Sequence, residues 1–474
     1  MSNKKTKIVA TLGPASSDKE VLYELIKTGV DVCRLNFSHG THEDHLAVIN
    51  TINELKEEHG FNTAILADMQ GPKLRVGEMK DNGVQLVEGE TLTITNEKCV
   101  GTAKKLYMSY ERFAADVKPG EKVLLDDGKL ELKVLKTNKK NEVELEIIHG
   151  GILSSNKGVN LPNTKISQPC LTEKDVRDLE FVLQHDIDWI GLSFVRSASD
   201  IIELRHLIAS HNSDALIVAK IEKPEAIEDI DHIIKEADAL MVARGDLGVE
   251  VPMENVPLIQ KELIKKCRAS ARPVIVATQM MESMINNVTP TRAEVNDVAN
   301  AVLDGADAVM LSGETSVGKY PKKVIEAMSA IVREIEQSEQ IYHHETAPVE
   351  TQVDRFISDS ICYNACRLAA RVSSSAIATM THSGYTAYKI SSQRPKANVI
   401  AFTGNKKLLS QLSLVWGVIG IFYDKYVSTD HTIADIKYML KKRGICKTGD
   451  LVINLASMPI TDKGMTNMLK LSYV

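Results

Sequence analysis

The sequence predicts an α/β protein: a (β/α)8 barrel with a small β-barrel domain inserted into it and a C-terminal α/β domain after it. Eight short apolar runs recur before residue 314, and amphipathic stretches separate most of them. Several runs are apolar on both faces, which is typical of strands buried in a parallel sheet. A stretch of short alternating runs interrupts this series, and strands alternate with helices again near the C-terminus.

The first three barrel strands are predicted before residue 70. They are the runs KIVATLG (7–13), VDVCRLNF (30–37) and TAILAD (63–68). Ser17 or Asp18 can cap a helix after the first run, and a second helix is expected from about Glu43 to Glu58. Each run is followed by a helix or by the insertion, as a (β/α)8 barrel requires.

Between residues 70 and 167 the pattern changes to short strands without helical periodicity. Turn-forming sequences such as Asp127-Gly128 separate alternating runs such as EVELEII (142–148). Many short strands of this kind predict a small antiparallel barrel or sandwich. We therefore assign residues 1–69 and 168–345 to the (β/α)8 barrel and residues 70–167 to the inserted domain.

Five further barrel strands follow the insertion, and they begin near Trp189, Ala215, Ala239, Pro273 and Asp307. Eight strand–helix units favour a closed barrel. An open doubly wound sheet is the weaker alternative, because no GxGxxG motif follows the first strand. Residues 346–474, after a linker around 345–352, are predicted to form an α/β domain with a mostly parallel sheet. No internal repeat is apparent.

The composition is that of a water-soluble globular protein. The formal net charge of -6 provides no basic surface for nucleic acid. No apolar run is long enough to span a membrane, and the first residues lack the apolar core of a signal peptide. Seven cysteines without a CxxC pair argue against a disulfide framework or a zinc cage. We expect a cytoplasmic protein without nucleic-acid or membrane partners.

Polar residues stand at the carboxyl ends of the predicted barrel strands, where barrels of this class carry their functional groups. These residues are Arg34, Asn36, Ser38, Asp68, Ser193, Arg196, Lys220, Glu222, Asp246, Thr278, Gln279, Ser312 and Glu314. Lys220 and Glu222 are two residues apart on one strand, so their side chains share a face. For a single strand end, the alternative is an ordinary solvated ion pair.

The residue types indicate a particular chemistry. Glu222 and Asp246 supply hard oxygen ligands for a divalent ion. Arg34 and Lys220 are cations that can neutralise a phosphate or an enolate. The backbone N–H groups at Gly245 and Asp246 can bind a carboxylate if a helix begins there. Together these groups predict a small phosphorylated or carboxylated substrate and a divalent metal.

Nine segments, spread over essentially the whole chain, resemble the pyruvate kinase family. They are CRLNFSHG (33–40), DMQGPKLR (68–75), KGVNLP (157–162), LSFVR (192–196), AKIE (219–222), MVARGDLG (241–248), ATQM (277–280), TPTRAE (289–294) and MLSGET (310–315). The resemblance implies transfer of the phosphoryl group of phosphoenolpyruvate to ADP, giving pyruvate and ATP. It also implies dependence on Mg²⁺, with Mn²⁺ as a substitute, and a homotetramer.

The resemblance also assigns roles to individual residues. Glu222 and Asp246 match the Mg²⁺ ligands, and Lys220 matches the lysine that stabilises the transferring phosphoryl group and the enolate. The other substrate contacts match Arg34, Gly245, Asp246 and Thr278, with Thr278 near the proton delivered to the enolate. The nucleotide contacts match Arg75, Lys157, Asn36 and His39. The inserted domain matches the lid that closes over the site.

One departure from the family concerns its monovalent-cation site, which matches Asn36, Ser38, Asp68 and Met69. Potassium-dependent members resemble DTKGPE, whereas this chain has DMQGPK and therefore Lys73 at the last position. Members with lysine there tend not to need potassium, because an ammonium group supplies the missing positive charge. We expect Lys73 to be an internal cation and K⁺ not to be required. The alternatives are a solvated loop lysine and ordinary hydrogen bonding at the strand ends.

In the C-terminal domain, a turn before a helix resembles the family's phosphate loop for a sugar-phosphate activator. The residues are Thr381, Ser383, Gly384 and Thr386. A turn of this composition at a helix N-terminus is an anion site, although an ordinary capped helix is an equal alternative. The terminal loop 458–466 lacks the tryptophan and arginine of some fructose-bisphosphate-activated members, so the effector stays open.

Two other functions fit part of the pattern. A lyase or aldolase acting on a pyruvate enolate would explain Lys220, Glu222 and Asp246, but not Lys157 and Arg75, which suit a nucleotide. Dependence on ADP would separate the two enzymes. A catalytically silent sensor is the third interpretation, and the complete set of charged residues at the strand ends argues against it.

Overall fold

The structure, a computed structural model, describes residues 4–349, 355–425, 428–458 and 464–474. Its first part contains strands β1 (Lys7–Thr11), β2 (Val32–Asn36) and β3 (Ala64–Asp68) and helices α1 (Lys19–Thr28) and α2 (His42–His59). Asp18, one of the two expected caps, accepts hydrogen bonds from the backbone of Glu20 and Val21 at the start of α1.

The inserted domain has its own hydrophobic core. Its elements are β4 (Gly83–Leu86), β5 (Thr91–Thr95), β6 (Lys105–Tyr107), α3 (Phe113–Asp116), β7 (Lys122–Leu125), β8 (Leu130–Thr137), β9 (Glu142–His149), β10 (Gly151–Ser154) and β11 (Val159–Asn160). Alternate residues of β9 are buried, which is the period of two that predicted the strand. One sheet has the order β11-β7-β8-β9-β5-β6, and β4 pairs with β10.

A short segment joins the two edges of the six-stranded sheet. Arg75 pairs with Gly158 next to β11, and Val76 pairs with Met108 next to β6. The sheet therefore closes on itself as a small barrel, and all its strand pairs except β5–β6 are antiparallel. Arg75 is thus one of the residues that close this barrel, and Lys157 directly precedes its partner Gly158.

The larger barrel resumes after the insertion. Its strands are β12 (Trp189–Leu192), β13 (Leu216–Ile221), β14 (Ala239–Ala243), β15 (Val274–Ala277) and β16 (Ala308–Leu311). Its helices are α4 (Glu173–Val182), α5 (Ala198–Ser210), α6 (Pro224–Glu228), α7 (Ile230–Glu236), α8 (Arg244–Glu250), α9 (Val256–Ala269), α10 (Arg292–Asp304), α11 (Gly313–Ser316) and α12 (Pro321–Ile335). The eight parallel strands close in the order β1-β16-β15-β14-β13-β12-β3-β2, which confirms the predicted (β/α)8 barrel.

Four aspartates repeat one contact at the base of this barrel. One of them stands before each even-numbered barrel strand, counted in chain order. Each accepts a hydrogen bond from a backbone N–H near the start of the preceding barrel strand. The pairs are Asp31 with Ile8 (2.8 Å), Asp188 with Ile65 (2.8 Å), Asp238 with Ile217 (2.9 Å) and Asp307 with Val274 (3.1 Å). The barrel thus contains a structural repeat, although the insertion makes its spacing too irregular to be apparent in the sequence.

The C-terminal part is an α/β layer. Its elements are α13 (Phe356–Arg371), β17 (Ala376–Met380), α14 (Tyr385–Ser392), β18 (Asn398–Thr403), α15 (Lys406–Gln411), β19 (Val418–Phe422), α16 (Thr429–Lys442), β20 (Leu451–Ala456) and β21 (Met468–Tyr473). The strand order is β19-β18-β17-β20-β21, and only the edge strand β21, which was not predicted, is antiparallel.

The predicted domain limits stay predictions. The end of the linker and the start of the next helix, residues 350–354, lie outside the described residues. Within the described part of the chain, no helix is long and apolar enough to cross a membrane.

Candidate active site

Lys220 is the centre of a buried ion cluster at the carboxyl end of β13. Its Nζ lies 3.0 Å from Oε1 of Glu222 and 3.1 Å from Oδ1 of Asp68. The same nitrogen donates a hydrogen bond of 2.5 Å to the hydroxyl of Ser193. Lys220 and Glu222 lie side by side, as the alternation of a strand requires, and the cluster joins residues from three neighbouring strand ends.

Arg34 completes this cluster from β2. Its Nε donates to Oδ2 of Asp68 at 2.7 Å, and its Nη1 donates to the hydroxyl of Thr11 at 2.9 Å. Asp68 therefore holds two cations, Arg34 and Lys220, and fixes their relative positions. Paired cations held by one buried carboxylate can bind an anion without reorganisation, which is the requirement for stabilising developing negative charge.

Burial and pairing act in opposite directions on the pKa values of this cluster. Burial lowers the pKa of Lys220, but Asp68 and Glu222 outweigh it and raise the pKa above its ordinary value. Burial raises the pKa of Asp68, but Lys220 and Arg34 outweigh it and lower the pKa. For Glu222, burial dominates over the attraction of Lys220 and raises the pKa to about 7. Lys220 and Asp68 thus stay charged at neutral pH, whereas Glu222 is present there in both its protonated and its ionised form.

Asp246 and Gly245 lie in the first turn of α8, the helix start that their predicted role requires. The backbone N–H of Gly245 donates to the hydroxyl of Thr278 at 2.8 Å, which brings the ends of β14 and β15 together. Asp246 is one-third exposed, and its Oδ1 lies 3.8 Å from the Nζ of Lys73. A carboxylate with this exposure keeps oxygen lone pairs available for a ligand.

Arg244 supports the turn that carries Thr278. Thr278 and Gln279 have φ values of 67° and 55°, a left-handed conformation that is costly for a β-branched residue. Arg244 donates to the carbonyls of Ala277 (3.1 Å) and Thr278 (2.6 Å) and forms an ion pair with Asp297 (2.7 Å). The sequence analysis assigned no role to Arg244 or Asp297. Their only local signal is that Arg244 directly precedes Gly245.

The loop after β12 orients the metal-ligand candidate. The backbone N–H of Phe194 donates to Oε2 of Glu222 at 2.7 Å, and Phe194 has a φ of 55°. Ser193 donates to the carbonyl of Met69 at 2.7 Å while it accepts from Lys220. The backbone of this loop therefore fixes Oε2 of Glu222, while Lys220, which Ser193 holds, contacts Oε1.

Two other rim residues bind backbone groups. Glu314 is buried and accepts hydrogen bonds from the backbone of Ser312 (2.7 Å) and Met281 (3.1 Å). Arg196 donates to the carbonyls of residues 166 and 168, between the inserted domain and the barrel. Both residues hold loops in place at the rim.

The predicted nucleotide contacts lie on the inserted domain, at the end of β2 and in the loop after β2. Lys157 forms an ion pair of 2.8 Å with Asp126, which raises the pKa of Lys157. Arg75 donates to the carbonyl of Asn156 at 2.9 Å. A cavity of about 860 Å³ lies at the barrel rim, lined by Gly245, Asp246 and Gln279 of the barrel and by Lys73 and Asp127 of the inserted domain.

Two family models match the chain. The model for the pyruvate kinase barrel domain matches residues 3–325, and the model for the pyruvate kinase alpha/beta domain matches residues 359–472. The chain belongs to the pyruvate kinase family. Membership confirms the prediction of a phosphotransferase that binds nucleotide and metal.

Individual pyruvate kinases are similar over nearly the whole chain. The pyruvate kinase of Geobacillus stearothermophilus is 44% identical over 480 residues, which cover 99% of this chain and 80% of that protein. The pyruvate kinase of Corynebacterium glutamicum is 44% identical over 98% of this chain and 97% of its own length. A crystal structure of a pyruvate kinase from Cryptosporidium parvum is 33% identical and superposes with a TM-score of 0.93, covering 99% of this chain and 96% of that chain.

The family implies dependence on Mg²⁺, and the donor set here fits that ion. Glu222 and Asp246 provide carboxylate oxygens from adjacent strand ends, and the negative charge of Asp246 contributes to raising the pKa of Glu222. Among the described residues, no group of three or more His, Cys, Asp or Glu side chains could hold a metal. Two carboxylates, with water and substrate oxygens for the other positions, suit Mg²⁺ rather than a closed zinc or calcium cage.

We expect the affinity for Mg²⁺ to fall about tenfold between pH 8 and pH 6 in the absence of substrate. The reason is that a carboxylate must lose its proton to bind a metal, and the pKa of Glu222 is raised to about 7. Calorimetric titration of the protein with Mg²⁺ at both pH values measures this effect. Glu222→Gln should bind more weakly and with little dependence on pH. Equal affinities of the unaltered protein at pH 6 and pH 8 would contradict the prediction.

The structure brings the residues of the predicted monovalent-cation site together, with the exception of Lys73. Asn36 accepts a hydrogen bond from the backbone of Ser38 at 3.2 Å, and β2 and β3 place Asn36 opposite Asp68. Lys73 instead lies on the other side of the rim, with Asp246 as its ion-pair partner. Its positive charge thus reaches the predicted metal and substrate position rather than Asp68.

The predicted effector loop borders a cavity of about 430 Å³ in the C-terminal part. Gly384 donates its backbone N–H to the hydroxyl of Thr381 at 2.9 Å, and the hydroxyls of Thr386 and Thr466 lie 2.7 Å apart. Arg355, which the sequence analysis did not name, also lines this cavity, and its guanidinium lies 4.1 Å from the ring centre of Tyr385. Residues 459–463 of the terminal loop lie outside the described residues.

Proposed function

We propose that the protein transfers the phosphoryl group of phosphoenolpyruvate to ADP, giving pyruvate and ATP in the last step of glycolysis. The observation that carries this proposal is the buried cluster in which Asp68 holds Lys220 and Arg34 next to Glu222. A loose, charge-rich transition state needs positioned cations more than covalent chemistry. This cluster supplies two of them in a site that desolvates both.

Each residue has a role in this proposal. Arg34 binds the phosphate of the substrate, and Lys220 neutralises the phosphoryl group in transfer and the enolate that it leaves. The helix start at Gly245 and the hydroxyl of Thr278 bind the carboxylate, and Thr278 lies near the proton that the enolate takes up. Glu222 and Asp246 hold Mg²⁺, which when bound supplies a Lewis acid for the phosphate oxygens.

The inserted domain is proposed as the lid. Arg75 and Lys157, with Asn36 and His39 from the barrel, contact the nucleotide. In support, Arg75 lies on the segment that closes the small barrel and pairs with Gly158, the residue after Lys157. Closure of this domain would exclude water, which otherwise competes with ADP for the phosphoryl group. A cytoplasmic homotetramer is proposed on family membership alone, and light scattering tests its size.

The test is ATP formation from phosphoenolpyruvate and ADP with Mg²⁺, in buffer free of potassium and ammonium. Turnover that requires ADP supports the proposal, and turnover of a pyruvate enolate without ADP supports the lyase. The kinase proposal would be contradicted if no ATP forms in this buffer and none forms after potassium, sugar phosphates and Mn²⁺ are added.

We propose further that potassium is not required because Lys73 supplies its charge. The ammonium of Lys73 lies 3.8 Å from Asp246, at the edge of the proposed substrate site. A fixed cation there offsets the carboxylates Asp246 and Glu222, which is the electrostatic effect of a bound potassium ion.

Lys73→Glu is expected to lower turnover in potassium-free buffer by about tenfold or more, because the change of two charges beside Asp246 costs more than 1.4 kcal/mol at a partly buried site. Added potassium should restore most of the loss. Lys73→Met removes one charge only and serves as the intermediate variant. Full activity of Lys73→Glu without potassium would contradict the role of Lys73.

We also propose that the cavity beside Thr381, Ser383, Gly384 and Thr386 binds the phosphate of a sugar-phosphate activator. Its support is the pairing of a Ser/Thr/Gly turn with the cation Arg355 in one cavity. We expect sugar phosphates to increase the affinity for phosphoenolpyruvate, and Arg355→Met to abolish this activation without changing basal turnover. Arg367→Met, on the exposed face of α13, is the matched control. Activation that persists in Arg355→Met would place the effector elsewhere.

A further inference from the structure

Glu250 connects the inserted domain to the barrel. It ends α8 and is 4% exposed. Its Oε1 accepts a hydrogen bond of 2.7 Å from Nζ of Lys223 and one of 2.8 Å from the side-chain amide of Asn160. Its Oε2 is buried and has no hydrogen-bond partner among the described residues. A buried carboxylate with one unpaired oxygen is costly, so this arrangement needs a reason beyond stability.

Glu250 and its two partners belong to three different parts of the proposed site. Lys223 directly follows Glu222, and α8 begins with Gly245 and Asp246. Asn160 lies on β11 of the inserted domain, three residues after Lys157. One carboxylate therefore ties together the segment after Glu222, helix α8 and strand β11.

Helix α8 also approaches the inserted domain at a second point. A Cβ atom at Gly128, in the turn between β7 and β8, would lie 3.5 Å from Cγ1 of Val249. Lys73 and Asp246 form a charged contact between the inserted domain and the barrel. It is long, at 3.8 Å, and both side chains are one-third exposed, so solvent screens it. The bond between Glu250 and Asn160 is the buried polar contact between the two domains at this place.

We propose that Glu250 is a positioning residue that fixes the inserted domain on the barrel in the orientation that nucleotide binding needs. The inference rests on the proposed function of that domain as a lid. Opening of the domain breaks the bond to Asn160 and lets water reach the unpaired oxygen of Glu250. Closing restores this buried bond, and Lys223 keeps the carboxylate neutralised so that the neighbouring metal position is not disturbed.

The experiment compares Asn160→Ala with the unaltered protein. The KM for ADP should rise about tenfold, the size expected for a hydrogen bond to a charged group, while the KM for phosphoenolpyruvate changes less than about twofold. Gln85→Ala is the matched control, because Gln85 is an exposed amide on the same domain that bonds only to the backbone of Leu86. An unchanged KM for ADP in Asn160→Ala would overturn the proposal.

A pair of exchanged residues separates positioning from simple stability. Glu250→Gln alone leaves Lys223 buried without a carboxylate and should be impaired. Glu250→Gln combined with Asn160→Asp restores one carboxylate and one amide across the gap and should return the KM for ADP to within about threefold of the original. If activity and melting temperature fall together in Glu250→Gln, and the double variant does not recover the KM for ADP, Glu250 is a structural residue only.

Hydrogen exchange provides a measurement that does not need turnover. In Asn160→Ala, the backbone amides of β11 and α8 should exchange faster, whereas those of β8 and β9 in the core of the inserted domain should not change. If the unaltered protein forms no ATP, the proposed function fails, and this measurement still decides the role of Glu250. Exchange that is unchanged at β11, or faster throughout, would overturn the inference.

Discussion

Lys220→Met is expected to lower kcat by about a thousandfold, with the fold intact. Lys220 is the cation that contacts Asp68, Glu222 and Ser193 together, and methionine has a similar length without the charge. The developing negative charge on the phosphoryl group and the enolate would then lose its closest neutralising group. Steady-state turnover with saturating phosphoenolpyruvate, ADP and Mg²⁺ measures the loss.

The control must separate the loss of Lys220 from a loss of metal. The attraction of Lys220 partly offsets the effect of burial on the pKa of Glu222, so without Lys220 that pKa rises further and metal binding weakens at neutral pH. The assay is therefore repeated at pH 8.5 with excess Mg²⁺, where the loss should persist. Lys322→Met, which removes an exposed ion pair with Glu24 on the outer helices, should leave kcat unchanged. A loss in Lys220→Met smaller than about tenfold would contradict the assigned role.

Arg394→Met is expected to lower the free energy of unfolding by about 3–5 kcal/mol, the cost of removing one partner of a buried ion pair. Arg394 is 1% exposed and joins the C-terminal part to the base of the barrel. It donates to the carbonyl of Gly305 at 2.8 Å and to Oδ2 of Asp307 at 3.0 Å, and its guanidinium lies 4.8 Å from the ring of Trp416. Without it, the buried side chain of Asp307 loses its ion-pair partner.

Chemical denaturation followed by tryptophan fluorescence measures this effect, because Trp416 lies at the junction itself. Lys396→Met removes an exposed ion pair with Glu339 close by and should change the free energy of unfolding far less than Arg394→Met does. Combining Arg394→Met with Asp307→Asn should recover part of the loss, since the unpaired charge is then removed. A cost below about 1 kcal/mol for Arg394→Met would show that the ion pair contributes little.

Several features of the site were predictable because they depend on local sequence. A strand has a period of two, so Lys220 and Glu222 had to share a face. Parallel barrels carry functional groups at the carboxyl ends of strands, so the rim residues could be named from the end of each apolar run. The residues Arg244, Asp297, Glu250 and Arg355 were missed, because their importance comes from partners far away in the chain.

The sequence by itself determined the eight-stranded barrel, the inserted β domain, the C-terminal α/β layer and the candidates at the barrel rim, because apolar periodicity and turn composition are local properties. Only the tertiary structure decided which candidates meet. It paired Asp68 with Arg34 and Lys220, and it placed the ammonium of Lys73 beside Asp246 rather than beside Asp68. It also closed the small barrel through residues 75–76. These pairings depend on how distant segments pack, and the packing is selected by the whole core rather than by any one segment.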